Sequence, residues 1–268
     1  MNNKPVLFVD SGIGGLLYCR DFLARNPREE ICYIADRENF PYGSHSKEEL
    51  VSILTSLIYS LLKKIEPKII VLACNTATVS ALDALRQSFP KTPFVGTVPA
   101  IKPAAIACKS GKIGVLGTER TIEDPYNQSL ADGANCEIIG IAAPELAEFV
   151  ESHFEEAGEN EKTKIARKYI ELCCASGADT LVLGCTHFLY LLEEFHREAA
   201  PLITVFDSLD GITKRVEYLL DENDGAMRTG NNSAPAHRLL LTGKTQPDSS
   251  WKNRAKALGF NLSLFCEL

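Results

Sequence analysis

Residues 69–78 decide the fold, and they read Ile-Ile-Val-Leu-Ala-Cys-Asn-Thr-Ala-Thr. In this stretch a short apolar run ends on a small residue and is followed by a thiol and by short polar side chains. Such runs are typical of the interior strands of a parallel sheet, whose carboxyl ends bind ligands in open α/β folds. The stretch therefore predicts a buried strand that presents Cys74 at the ligand-binding edge of a sheet.

A second stretch, residues 180–187, repeats the pattern as Thr-Leu-Val-Leu-Gly-Cys-Thr-His. Cys185 follows Cys74 by 111 positions, and the apolar strands that begin near Val6 and Ile113 lie about as far apart. A constant offset between matching segments indicates an internal duplication. We therefore expect two similar open parallel-sheet α/β domains, with one thiol from each contributing to a single site.

The residues after Asp207 lie outside the repeat. They contain a predicted helix, a polar link, a strand that begins at Arg238 and a helix that ends at Gly259. We expect this segment to return and pack on the first half of the chain. The domains are then discontinuous, with residues 1–97 and 208–268 in one domain and residues 98–207 in the other.

Composition and charge exclude several classes of protein. The 268 residues carry a net charge of −7 and show no cluster of Lys and Arg, so nucleic acid is a poor candidate for a partner. The apolar run near the amino terminus is too short for a signal peptide, and no apolar stretch reaches the ~20 residues of a membrane span. We expect a cytoplasmic protein without a membrane partner.

The nine cysteines do not form the pattern of a secreted disulfide framework or of a zinc site, because no Cys-x-x-Cys pair or Cys/His cluster occurs. We expect no metal. Seven of the nine are interpreted as small buried apolar side chains, namely Cys19, Cys32, Cys108, Cys136, Cys173, Cys174 and Cys266.

Three further stretches have the composition of turns or helix starts near a ligand. Residues 10–16 read Asp-Ser-Gly-Ile-Gly-Gly-Leu, in which glycines allow a sharp turn and the following backbone N–H groups can bind an anion. Asp10 could equally cap the helix that follows. Residues 41–43, Pro-Tyr-Gly, form a turn that can hold Tyr42 against a substrate. A further helix is predicted to begin at Thr121, with its hydroxyl as the cap.

Five stretches together resemble the glutamate racemase family, within the wider group of aspartate/glutamate racemases. They occur in the family's order and span most of residues 1–210; they are residues 9–16, 41–43, 73–77, 116–118 with Thr121, and 184–187. The resemblance implies a cofactor-free interconversion of L- and D-glutamate that supplies D-glutamate for peptidoglycan. It also implies two α/β domains related by a pseudo-twofold duplication, with the active site in the cleft between them.

The resemblance also implies roles for individual residues. Cys74 would be the base toward D-glutamate, assisted by Asp10, and Cys185 the base toward L-glutamate, assisted by His187 and Glu151. The residues implied in substrate binding are Asp10, Ser11, Pro41, Tyr42, Gly43, Asn75, Thr76, Thr118, Thr121, Thr186 and His187. The partner is a small molecule, D- or L-glutamate. The resemblance is compatible with a homodimer, although no residue pattern marks an interface.

The chemistry of racemisation fits a pair of thiols independently of the resemblance. The reaction removes the α-proton from one face of the carbon and returns a proton to the other, so it needs two acid/base groups. One must start as a thiolate, although an unperturbed cysteine has a pKa of about 8.5. The surroundings of that cysteine must therefore stabilise its thiolate form.

Other interpretations remain open at this stage. His187 alone could be a structural residue or a helix cap, and Glu151 an exposed helix residue. A cysteine hydrolase or amidase would use Cys185 as nucleophile and His187 as base, but this leaves Cys74 and the duplication unexplained. A non-enzymatic amino-acid sensor is the third possibility. Only a racemase places solvent deuterium at the α-carbon without consuming the substrate.

Overall fold

The computed structural model describes residues 2–132, 136–230 and 234–265. These residues divide into two compact units, Met1–Thr97 with Leu209–Leu268, and Val98–Ser208. Each unit is built on one parallel sheet and the helices that connect its strands. The prediction of an α/β fold with two parallel sheets is confirmed.

The described strands and helices follow in chain order. The strands are β1 (Val6–Asp10), β2 (Ile31–Ala35), β3 (Ile69–Leu72), β4 (Phe94–Gly96), β5 (Lys112–Gly117), β6 (Glu137–Ala142), β7 (Thr180–Leu183), β8 (Thr204–Phe206), β9 (Arg238–Leu241) and β10 (Asn261–Leu264). The helices are α1 (Leu16–Arg25), α2 (Lys47–Lys64), α3 (Asn75–Ser88), α4 (Ile101–Ala107), α5 (Glu119–Glu123), α6 (Pro125–Asp132), α7 (Pro144–Ser152), α8 (Glu159–Ala175), α9 (Leu192–Ala199), α10 (Leu209–Gly225) and α11 (Ser249–Leu258).

The two sheets share one strand order. The first sheet runs β10-β9-β2-β1-β3-β4 and the second runs β6-β5-β7-β8, so the first four strands of each unit are arranged alike. In both units the candidate thiol follows the third strand, β3 or β7. This agreement supports the internal duplication that the sequence offset predicts.

The C-terminal segment extends the sheet of the first unit. Strand β9 pairs in parallel with β2, with Leu241 opposite Ala35, and β10 pairs with β9 at the edge. Six strands rather than four therefore form the first sheet. The end of β9, which belongs to the C-terminal segment, lies beside the carboxyl end of β2.

Local sequence explains the longest helix of the first unit. Helix α2 begins with a capping box, in which the Glu49 backbone N–H donates to Ser46 Oγ and the Ser46 N–H donates to Glu49 Oε2. Its apolar residues recur at helical spacing and are buried in the core with strands β1 and β3; they are Leu50, Leu54, Leu57, Ile58 and Leu61.

Most of the cysteines outside the two candidate positions are buried, as predicted. Burial raises the pKa of Cys32 and of Cys173 to about 12, which keeps these thiols protonated and inert. Two exceptions occur: Cys108 is half-buried, and Cys174 is exposed on α8. The prediction for Cys174 is wrong because this residue faces away from the sheet; Cys266 lies outside the described residues.

Among the described helices, we find none with both the length and the apolar composition that crossing a membrane requires.

Candidate active site

Cys74 lies at the junction between a buried strand and a helix start. Its backbone is extended, its relative exposure is 8%, and it occupies the N-cap position of α3, separated from the end of β3 by Ala73. The backbone N–H groups at a helix start favour a nearby negative charge. The position therefore suits a cysteine that carries charge during part of a reaction cycle.

Asp10 orders the turn beside the Cys74 strand. It is completely buried at the end of β1, where Oδ1 accepts from the Ser11 N–H (2.7 Å) and Oδ2 from the Gly15 N–H (2.8 Å). A Cβ on Gly15 would lie 2.8 Å from the Cβ of Ala73, the residue before Cys74. Only glycine lets the turn approach this closely, so the Asp10 turn packs directly against the strand end that presents the thiol.

Asn75 is a buried amide without a protein partner. The residue is 2% exposed, and neither Oδ1 nor Nδ2 has a hydrogen-bond partner in the described part of the chain. Leaving a buried polar group unsatisfied costs about 1–3 kcal/mol, so such groups usually serve a ligand or water. Thr76, also buried, follows it on α3.

Tyr42 lies in the same buried cluster as Cys74. Its hydroxyl donates to Asp36 Oδ2 at 3.0 Å. Burial, followed by the nearby carboxylate of Asp36 and the charges at Cys74 and Asp10, raises the pKa of Tyr42 well above its ordinary value. The phenol therefore stays protonated. The residues on either side of it, Pro41 and Gly43, are exposed.

In the second unit, a chain of three polar side chains begins at Cys185. This residue follows β7 and is 9% exposed, and its Sγ lies 3.9 Å from His187 Nδ1. His187 Nε2 in turn lies 3.0 Å from Glu151 Oε2, which α7 supplies. The side chains of His187 and Glu151 are only 6% and 16% exposed. The structure thus brings these three predicted residues together, and Glu151 is not an ordinary exposed helix residue.

Thr118 and Thr121 lie at the start of a helix. The Thr121 N–H donates to Thr118 Oγ1 at 3.3 Å, and the two hydroxyl oxygens lie 3.0 Å apart. The helix α5 begins at Glu119, so the cap is Thr118, and the prediction that Thr121 caps the helix is wrong. A threonine hydroxyl occurs at both positions, and the sequence pattern alone does not choose between them.

Thr186, a further predicted substrate contact, follows Cys185 directly and is 1% exposed.

A set of polar residues behind Tyr42 is not among the site residues predicted from the sequence. Asp36 follows β2 and binds Tyr42, Asn39 and Thr242, the last of which follows β9. The sequence does carry a signal for Asp36, because this acidic residue directly follows the apolar run Ile31 to Ala35, as Asp10 follows the run Val6 to Val9.

A family model described as Asp/Glu/Hydantoin racemase matches residues 24–214. The chain belongs to this family. A glutamate racemase from Herpetosiphon aurantiacus is 36% identical over 247 residues, which cover 88% of this chain and 96% of the relative. The Asp/Glu/Hydantoin racemase assignment makes the protein a racemase, and therefore an isomerase.

Solved structures of racemases share the fold over almost the full length of the chain. Escherichia coli glutamate racemase, solved with L-glutamate and the activator UDP-MurNAc-ala, superposes with a TM-score of 0.84 at 29% identity and covers 99% of both chains. Bacillus anthracis glutamate racemase isoform RacE1 gives 0.81 at 30% identity, covering 99% of this chain and 98% of its own. Both support the racemase family fold.

Proposed function

We propose that this protein interconverts L- and D-glutamate without a cofactor, with Cys74 and Cys185 as the two bases. The observation that carries the proposal is the matched placement of the two thiols after the third strand of two sheets with one strand order. A duplicated thiol is what a reaction with two mirror-image proton transfers requires. In this proposal residues 1–97 with 208–268 form one domain and residues 98–207 the other, and each supplies one base.

The proton transfers balance over one turnover. A thiolate at Cys74 takes the α-proton of D-glutamate and becomes a thiol, while the electron pair of the C–H bond stays on the α-carbon. The thiol of Cys185 then gives its proton to the opposite face, which yields L-glutamate and leaves a thiolate at Cys185. The enzyme is then ready for the reverse reaction. The mechanism requires that both thiols reach the α-carbon of the same substrate molecule.

The surroundings of each thiol support these roles. The N-terminal end of α3 favours charge at Cys74, and the Asp10 carboxylate is held in place by two backbone N–H groups. On the other side, His187 lies between the Cys185 sulfur and Glu151. An imidazole held by a carboxylate can stabilise a neighbouring thiolate or exchange a proton with it.

The substrate contacts are also part of the proposal. The unsatisfied buried amide of Asn75 supports a polar ligand beside Cys74. The other proposed contacts to the substrate's ammonium and carboxylate groups are Asp10, Ser11, Pro41, Tyr42, Gly43, Thr76, Thr118, Thr121, Thr186 and His187. Glutamate is proposed over aspartate because the relatives described above are named glutamate racemases. The role in peptidoglycan synthesis rests on the same resemblance.

Circular dichroism with L-glutamate or L-aspartate and no added cofactor tests the proposed function. We expect the ellipticity of L-glutamate to decay to zero at constant total glutamate, and L-aspartate to remain unchanged. A strict requirement for pyridoxal phosphate, or no change with L-glutamate, would contradict the proposal. Consumption of the substrate would favour the hydrolase alternative.

Glu151→Gln tests whether the charge behind His187 supports the chemistry. We expect kcat/KM for glutamate to fall about tenfold or more. A positioned acid/base group contributes ~10²–10⁴-fold to a reaction rate, and Glu151 acts on the base Cys185 only indirectly, through His187. The control is Glu148→Gln on the same helix, where the exposed carboxylate accepts from Ser152 and from no other residue that the structure describes. Equal activity of the two variants in a coupled assay would show that Glu151 does not support the reaction.

A further inference from the structure

Three neighbouring strands of the first sheet end at the same level, and each end carries a polar side chain. Asp10 is the last residue of β1, Asp36 follows β2, and Thr242 follows β9. Backbone hydrogen bonds hold the ends together, from the Asp36 N–H to the Asp10 carbonyl (2.8 Å) and from the Thr242 N–H to the Ala35 carbonyl (3.0 Å). The C-terminal segment is therefore held in register with the strand end beside Asp10.

The Asp36 carboxylate links Thr242 to Tyr42. Asp36 is 2% exposed; Oδ1 accepts from Thr242 Oγ1 at 2.7 Å, and Oδ2 accepts from the Tyr42 hydroxyl at 3.0 Å. Asn39 Nδ2 donates to both oxygens, at 3.1 and 2.9 Å. The Thr242 oxygen also accepts from the Glu38 N–H at 3.2 Å. Within the described ranges, the side chains of Thr242, Tyr42 and Asn39 all donate hydrogen bonds to the buried carboxylate.

This arrangement determines what the Tyr42 side chain can do. Because its single hydroxyl proton is directed to Asp36, the phenol cannot also donate that proton to a substrate. The backbone N–H groups of Tyr42 and Gly43, in contrast, have no protein acceptor in the described ranges. The phenol acts as an anchor for residues 40–44, and the backbone N–H groups of Tyr42 and Gly43 remain available to a ligand.

We propose that Thr242 and Asp36 are positioning residues for substrate binding, acting through the Tyr42 phenol to hold the loop of residues 40–44. The inference rests on the proposed function, in which this loop contacts glutamate. It assigns to the C-terminal segment, which lies outside the duplicated halves, a role in the affinity of the enzyme for its substrate. Neither residue touches the reacting carbon in this account.

The chain offers a matched control for this contact. Thr213 Oγ1 of α10 donates to Asp21 Oδ2 of α1 at 2.6 Å, so a second threonine of the C-terminal segment binds an aspartate of the first half. Thr213 and Thr242 are buried to the same degree, at 1% and 2% exposure. The Thr213 contact joins two helices and has no link to Tyr42. A merely structural role for Thr242 therefore predicts the same consequences for both threonines.

The experiment compares Thr242→Val with Thr213→Val in the full-length enzyme. We expect Thr242→Val to raise KM for glutamate about tenfold, the size of one lost charge-assisted hydrogen bond, with kcat within about twofold. Thr242→Ser should restore KM because it keeps the hydroxyl. Thr213→Val should leave KM unchanged, and urea denaturation of both valine variants separates this result from a loss of folding.

Asp36→Ala, which removes both acceptor oxygens, provides the double-mutant test. If Thr242 acts only through Asp36, adding Thr242→Val to Asp36→Ala should raise KM no further than Asp36→Ala alone. Equal KM values for Thr242→Val and Thr213→Val, with an active wild type, would overturn the positioning role alone. A wild-type enzyme that leaves L-glutamate unchanged would overturn the proposed function and this inference together.

Discussion

Cys74→Ser and Cys185→Ser are each expected to lower the rate of glutamate racemisation by ~10³-fold or more, since acid/base groups contribute ~10²–10⁴. A serine hydroxyl is far too weak an acid to exist as an alkoxide base near neutral pH. Each substitution removes one of two required proton transfers, so either alone blocks the reaction in both directions. Circular dichroism of L- and D-glutamate measures both rates.

The loss is expected to be chemical and not structural. Serine is nearly isosteric with cysteine, and both residues lie at strand ends with about a tenth of their surface exposed. The control is Cys174→Ser, because this exposed thiol on α8 has no place in the mechanism and its loss should leave the rate unchanged. A racemisation rate near that of the wild type in either site variant would contradict the two-base mechanism.

Lys68→Met is expected to destabilise the protein by ~3–5 kcal/mol, because it leaves one member of a buried ion pair without its partner. Lys68 and Glu29 have side-chain exposures of 0% and 4%. The ammonium group also donates to the Asn2 carbonyl and to Thr229 Oγ1, each at 3.0 Å. Removing the lysine leaves the buried Glu29 carboxylate, among the described residues, with side-chain and backbone hydrogen bonds from Thr229 only. Urea denaturation measures the change in the free energy of unfolding.

An exposed ion pair in the same unit supplies the control. Lys4 and Glu66 lie 2.9 Å apart with side-chain exposures of 51% and 65%, so Lys4→Met should cost at most ~1 kcal/mol. Adding Glu29→Leu to Lys68→Met should recover part of the loss, since no charge then remains buried. Equal destabilisation by Lys4→Met and Lys68→Met would show that burial does not control the strength of these pairs.

The parts of the fold that depend on local sequence could be predicted. The apolar runs before Cys74 and Cys185 form the buried strands β3 and β7. Their offset predicts the internal duplication, and the structure supports it because the first four strands of each unit have the same order. The family resemblance implies that His187 and Glu151 support Cys185. In the structure they lie in hydrogen-bonding geometry with each other, next to the thiol.

The parts that depend on distant pairing could not be predicted. The contact between Thr242 and Asp36 exists only because β9 pairs with β2, and no periodicity in residues 31–36 indicates which strand will lie beside them. The edge strand β10 and the exposure of Cys174 likewise depend on how elements pack. The roles proposed for Asp10, Asn75 and the threonines of the second unit stay predictions.

Elimination from a β-substituted glutamate tests the central claim, that each thiol serves one enantiomer, most directly. A single base can remove the α-proton and expel the leaving group, since elimination needs no proton return at the α-carbon from the other face. We predict that Cys185→Ser, which keeps Cys74, eliminates only from the D-like isomer, and that Cys74→Ser eliminates only from the L-like isomer. Elimination by both variants from the same isomer would contradict the assignment of the two thiols to opposite faces.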